Sequence, residues 1–151
     1  MLRYQDNDEL HRDFHGTTNT TLDYIAEQYG VDALKEILRR TGREVYKTIR
    51  EKLARGDASE LLEHLVWFHY REGGEFSLSV SDDEIRFEVK RCPAWSHIEK
   101  MELKHSPHFC LQSSELYAGI CEGTGWECTV KCTGSGKCVQ TFRKAVKNDS
   151  K

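Results

Sequence analysis

The chain has 151 residues, 38% hydrophobic and 31% charged, with only two prolines. This composition suits one folded domain that buries roughly 70% of its unfolded surface, and does not suit a disordered chain. Acidic residues outnumber basic ones 25 to 22 for a formal net charge of −3, and Lys and Arg are scattered along the chain, which argues against a phosphate-backbone binder. No window approaches the roughly 20 apolar residues of a membrane span, and Met1 to Glu9 is polar and acidic, unlike a secretory signal. The expectation is a single cytoplasmic domain over residues 1–151, with about 1–10 and 147–151 frayed. In that compartment its six cysteines are thiols or metal ligands and not disulfides.

Asn19 and Thr20 are candidate N-caps for a helix over Thr21 to Tyr29, stopped by Gly30. From Asp32, the apolar residues Leu34, Ile37, Leu38, Val45, Ile49 and Leu53 keep helical spacing, so one longer helix is expected to reach Ala54 through Gly42. Gly56 and Asp57 end it and cap a third helix, Ser59 to about Tyr70. Its stripe of Leu61, Leu62, Leu65, Val66 and Phe68 is too wide for an exposed helix and predicts packing on a sheet. Gly73 and Gly74 break that period. Phe76, Leu78 and Val80 alternate before Asp82-Asp83, and Ile85, Phe87 and Val89 alternate after it, which predicts a β-hairpin. Pro93 suits the first turn of a helix to about Leu103, and another helix is expected over His108 to Cys121, ended by Gly123 and Gly125. Trp126 to Cys132 and Lys137 to Lys144 flank Thr133-Gly134-Ser135-Gly136 and predict a second hairpin. The fold class is therefore α+β: a helical N-terminal half packed on an antiparallel sheet of two β-hairpins, with helices between them.

Cys132 and Cys138 bracket the second turn and should be cross-strand neighbours within reach of one metal ion. Cys128 is a conditional ligand, because a regular strand puts its Cα about 13 Å from that of Cys132. Cys110 and Cys121 share a helix face about 16 Å apart, so only one can join the hairpin pair. Cys110, near a helix N-terminus, is preferred because that position favours thiolate. Glu127 is a candidate oxygen ligand. The alternative is that all are reduced thiols, some filling the core. Cys92 precedes Pro93 at a predicted helix N-terminus, where the dipole lowers a thiol pKa, so it is a candidate nucleophile with His97 or His108 as base; Glu99 and His105 lie nearby in sequence. The alternative is a buried cap residue. His11 and His15 have the i, i+4 spacing of some zinc sites, but no third ligand lies near in sequence. His64 and His69 sit in an apolar helix and read as core or pocket-wall residues, as do Trp67, Phe68, Tyr70 and Trp95.

The run Cys110-Leu-Gln-Ser-Ser-Glu-Leu-Tyr117-Ala118-Gly119, followed by Gly125, Glu127, Gly134 and Cys138, resembles the end of 4-vinyl-reductase-like ligand-binding domains. The resemblance implies a structural zinc beside a small-molecule pocket, held by Cys110, Glu127 and Cys138. The family's middle cysteine falls at Val130, whereas this chain has cysteines two residues to either side, at Cys128 and Cys132. From about His11 to Phe142, the chain also resembles the family of L-2-amino-thiazoline-4-carboxylic acid hydrolases. The carrying segments are His11 to His15, Tyr24 to Gly30, Glu72-Gly73-Gly74, Arg91-Cys92-Pro93, His97 and Gly136 to Phe142. That resemblance implies hydrolytic opening of a small sulfur–nitrogen heterocycle.

Two functions are therefore expected as alternatives. One is hydrolysis of a small C–N or C–S compound, with Cys92, His97 and His108 as catalytic residues. The other is a small-molecule or redox sensor with zinc on Cys110, Glu127, Cys128, Cys132 and Cys138. The expected partners are a small-molecule ligand or substrate and, at most, a second copy of the chain in a homodimer. Neither nucleic acid nor a membrane is expected.

Overall fold

The computed structural model describes residues 12–146, so the expectations for His11 and for both chain ends fall outside the described residues. The chain begins with α1 (Asp13–Tyr29), α2 (Val31–Val45), α3 (Lys47–Ala54) and α4 (Ser59–Arg71), followed by the hairpin β1 (Glu75–Val80) and β2 (Glu84–Arg91). Then come α5 (Pro93–Lys100), α6 (Leu111–Cys121) and a second hairpin of β3 (Trp126–Gly134) and β4 (Lys137–Lys144). The strands form one antiparallel sheet in the order β1-β2-β4-β3, so the second strands of the two hairpins pair in the middle. This is the α+β arrangement that the changes of apolar period at Gly73 and Gly125 imply.

Period two sorts the strand residues onto two faces. Three cross-strand rows share the inner face: Val89, Cys138 and Cys132; Phe87, Gln140 and Val130; Ile85, Phe142 and Cys128. The large members pack with Ile49 and Leu53 of α3, Leu61 and Leu65 of α4 and Ile120 of α6 in the main core. Arg86, Lys90, Thr129 and Lys131 are exposed on the opposite face, which no helix among the described residues covers. A second cluster joins Leu22, Leu34, Ala94, Ile98 and Phe109, and Cys92 packs against both clusters.

Local structure departs from the sequence expectations in the helices. Asn19 is not a cap: α1 starts at Asp13, and the buried Asn19 amide donates to Lys104 O at 2.8 Å while accepting from Ser106 N at 2.8 Å. A mid-helix polar residue thus pins the 104–106 loop. The helix expected from Asp32 to Ala54 is two helices, broken at Tyr46, whose φ −96° and ψ 34° are not helical. Gly42 is present for packing. A Cβ there would lie 2.9 Å from the Ile120 amide nitrogen, and one at Gly119 would lie 2.8 Å from the Arg39 carbonyl carbon, so the α2 and α6 backbones touch. The helix after Pro93 ends at Lys100 and not Leu103, because Glu102 takes a left-handed φ of 54°. The last helix begins at Leu111, after turns at 107–110. No helix among the described residues is long and apolar enough to cross a membrane.

Candidate functional site: a sulfur-walled cavity

The inner face of the sheet changes character along β4. Phe142 and its neighbours Ile85 and Phe87 fill the core, but toward the second hairpin turn the side chains shrink to Cys138, Cys132, Gly134 and Gly136. The helices cannot close over these small residues, and a cavity of about 240 Å³ remains. Phe14, Phe68, Trp95 and Phe109 supply aromatic walls, and His15, His64, His69 and Gln140 supply the polar part of the lining.

Four cysteines line one side: Cys92, Cys110, Cys132 and Cys138. Cys132 and Cys138 are register partners across β3 and β4, as the turn spacing implies. Cys110 arrives from the N-cap of α6. The Cys132 sulfur takes hydrogen bonds from both Cys110 and Cys138, which hold its thiol well below the usual range despite partial burial. The same contacts push Cys110 and Cys138 up, with burial acting in the same direction. Of the three, Cys132 is therefore the thiol whose deprotonation its neighbours favour. With the Cys138 proton directed at Cys132, the Cys138 sulfur accepts from Gln140 Nε2 at 3.5 Å. Gln140 Oε1 is buried with no partner among the described residues.

Cys92 is the N-cap of α5, where Pro93 was expected to put it. Its amide donates to Gly136 O at 2.9 Å, tying the start of α5 to the second hairpin turn. The thiol, however, shifts upward. Burial outweighs the hydrogen bonds from the Trp95 and Ala94 amides, the opposite of the direction that the helix terminus alone implies.

His97 and His108 do not line the cavity. The His97 ring centroid lies 6.0 Å from that of His15, and the His108 amide donates to Ser106 Oγ at 3.1 Å. His105 stacks on Trp95 with centroids 3.7 Å apart, and both its ring nitrogens are buried without a partner among the described residues. The cavity's own histidines are differently held. His15 Nε2 sits 3.1 Å from each carboxylate oxygen of the buried Glu72. His69 Nδ1 donates to Leu65 O at 2.9 Å. Burial lowers the pKa of both His64 and His69, so they are neutral imidazoles at pH 7.

The zinc set implied by the family resemblance does not assemble as a whole. Cys110, Cys132 and Cys138 come together, but Glu127 projects from the opposite, exposed face beside Arg143. Cys128 is two rows away and faces Cys121, whose own thiol burial pushes up to about 12. Among the described residues, no three His, Cys, Asp or Glu side chains are positioned to hold a metal ion. The structure also adds lining residues that were not singled out as site residues, notably Tyr46, Gln112 and Gln140. For Gln140 a signal existed: it alternates with Cys138 and Phe142 on one strand face, where a lone polar residue marks a pocket better than a core. No protein-family model and no curated protein matches this chain.

Proposed function

We propose that this domain binds a small, largely apolar molecule in the cavity and presents the Cys132 thiolate to it. The observation that carries this reading is the meeting of Cys110, Cys132 and Cys138 on the wall of an otherwise aromatic cavity. A dry apolar cavity of about 150 Å³ already takes benzene. At about 240 Å³ this one has room for a two-ring molecule. A thiolate facing that space favours an occupant with an electrophilic or positively polarised group. Such a module resembles the ligand-binding domains named above in its pocket, while nothing in its operation requires a metal on Cys132.

Indole and benzene serve as probes. A ligand at about 100 times its Kd adds about 2.7 kcal/mol, which in a domain of this size raises the melting temperature by roughly 5–10 °C. The rise should vanish in Ser113→Trp, which fills the cavity from α6. If neither probe stabilises the wild type more than that variant, the reading fails.

Thiol-dependent hydrolysis of a small C–N or C–S compound is a second reading, favoured by the presence of neutral His64 and His69 on the same cavity as the thiolate. A thiolate and a neutral imidazole are the nucleophile and the base that such chemistry needs. It runs through Cys132 more readily than through Cys92, whose proton is held more tightly. Turnover of 2-amino-thiazoline-4-carboxylate that is lost in Cys132→Ser would favour the enzyme, and absence of turnover removes this second reading.

A further inference from the structure

We infer that Cys132 is an oxidation site, at which a hydroperoxide drives formation of a Cys132–Cys138 disulfide across the second hairpin. All described cysteines are free, and of the four on the cavity wall only Cys132 is exposed, so it is the sulfur an oxidant meets first. Cys132 and Cys138 are direct register partners. Opposed residues in an antiparallel pair have Cα atoms about 4.5–5.5 Å apart, inside the roughly 4.4–6.8 Å range that a disulfide spans. The ladder also shifts register between Cys132 and Gly134, and the turn that follows is left-handed at Gly134, Ser135 and Gly136. That irregularity lets the strand ends rotate as the sulfurs close, where a regular ladder would resist. Cys110 also touches the Cys132 sulfur, but it belongs to the separate segment before α6, whereas Cys138 is held opposite Cys132 by the ladder.

The chemistry balances in two steps. The Cys132 sulfur attacks the terminal peroxide oxygen, the O–O bond breaks, and the leaving hydroxide or alkoxide takes a proton, leaving a sulfenic acid on Cys132. The Cys138 sulfur then attacks the Cys132 sulfur, the S–O bond breaks, and the departing hydroxyl takes the Cys138 proton as water. Two thiols lose two electrons in total, and one hydroperoxide is reduced to water or an alcohol. The bond would tie β3 to β4 at the cavity wall, and it forms whatever the cavity holds.

The test treats the reduced, full-length chain with hydrogen peroxide, blocks residual thiols by alkylation and maps the cysteines by mass. Trypsin cuts after Lys131, Lys137 and Arg143, so the expected product links the peptides Cys132–Lys137 and Cys138–Arg143 and is lost on treatment with dithiothreitol. In Cys138→Ser, dimedone should instead trap a sulfenic acid on Cys132. In Cys132→Ser, thiol loss should slow at least tenfold. Oxidation that begins at another cysteine, a Cys132–Cys110 link as the main product, or unchanged thiol loss in Cys132→Ser would overturn the inference. Mapping the wild type decides the disulfide even if a variant folds poorly.

Discussion

Gly119→Ala probes the contact that positions α6, and with it Cys110, against the rest of the fold. The added Cβ would lie 2.8 Å from the Arg39 carbonyl carbon and 2.9 Å from its Cα, both backbone atoms that cannot rotate away. Real Cβ contacts do not come that close, so α2 and α6 must separate. Overpacking of this kind costs typically 1–3 kcal/mol, and a clash with backbone lies at the upper end. Alanine returns up to about 1 kcal/mol in helix propensity, leaving a net loss of about 2 kcal/mol. In a domain of this length that lowers the melting temperature by roughly 4–8 °C. Thermal unfolding followed by circular dichroism measures it. A Gly119→Ala protein as stable as the wild type, or more stable by its propensity gain, would refute close packing of the two backbones.

Other consequences follow from the buried groups and the turn. Folding raises the pKa of Cys92, Cys110, Cys121, Cys128 and Cys138. As pH climbs past the free-thiol value of about 8.5, the unfolded chain therefore releases protons that the folded one keeps, and stability falls by up to about 1.4 kcal/mol per pH unit for each retained proton. Cys132 has the opposite sign: its contribution is present above the free-thiol value and lost as pH falls toward its lowered folded value. Urea midpoints should drop between pH 8 and 10, less steeply in Cys121→Ala; a flat profile would contradict the thiol burial. Glu72→Ala strands the buried His15 and should cost about 3 kcal/mol, with His15→Ala in the same background adding little, whereas additive losses in the double-mutant cycle would show that the pair does not interact. Gly136→Ala combines a φ of 74° with a Cβ 3.0 Å from the Trp95 ring, while Gly123→Ala meets a φ of 72° with nothing within 4 Å. Gly136→Ala should therefore be the more destabilising and should alter Trp95 fluorescence, and equal losses in the two variants would remove the Trp95 contact.

The two hairpins could be read from the chain because a period of two survives in Phe76 to Val80 and Ile85 to Val89, and because glycine-rich or acidic turns fix where each strand must reverse. Helix boundaries were less accessible for a physical reason. Tyr46 breaks α2 from α3 without Gly or Pro, since the break is set by docking of α3 on α4 and α6 and not by local propensity. Asn19 has the chemistry of a cap, and only the fold shows that its amide is occupied by the backbone of Lys104 and Ser106 instead. Gly42 reads as a tolerated weakness until its partner, Gly119, is seen packed across from the same helix.

For the site, sequence arithmetic was sound wherever one element contained the whole argument. The turn fixed the Cys132–Cys138 register and strand rise made Cys128 conditional, whereas Glu127 was kept as a candidate ligand although alternation puts it on the opposite face. What it did not contain is the joining of elements distant in sequence. The Cys92 amide bonds to Gly136 O, which brings a fourth sulfur to the wall and also buries it. Helix-terminal amides alone would then have made Cys92 the acidic thiol, but a dipole confined to the first turn is weaker than loss of water around the sulfur. Cys132 has no helix terminus. It has two neighbouring thiols that give up hydrogen bonds to it and a partly open position that keeps its charge solvated. Acidity in this pocket thus follows from which sulfur the others can donate to, and that favours deprotonation on the hairpin over the start of α5.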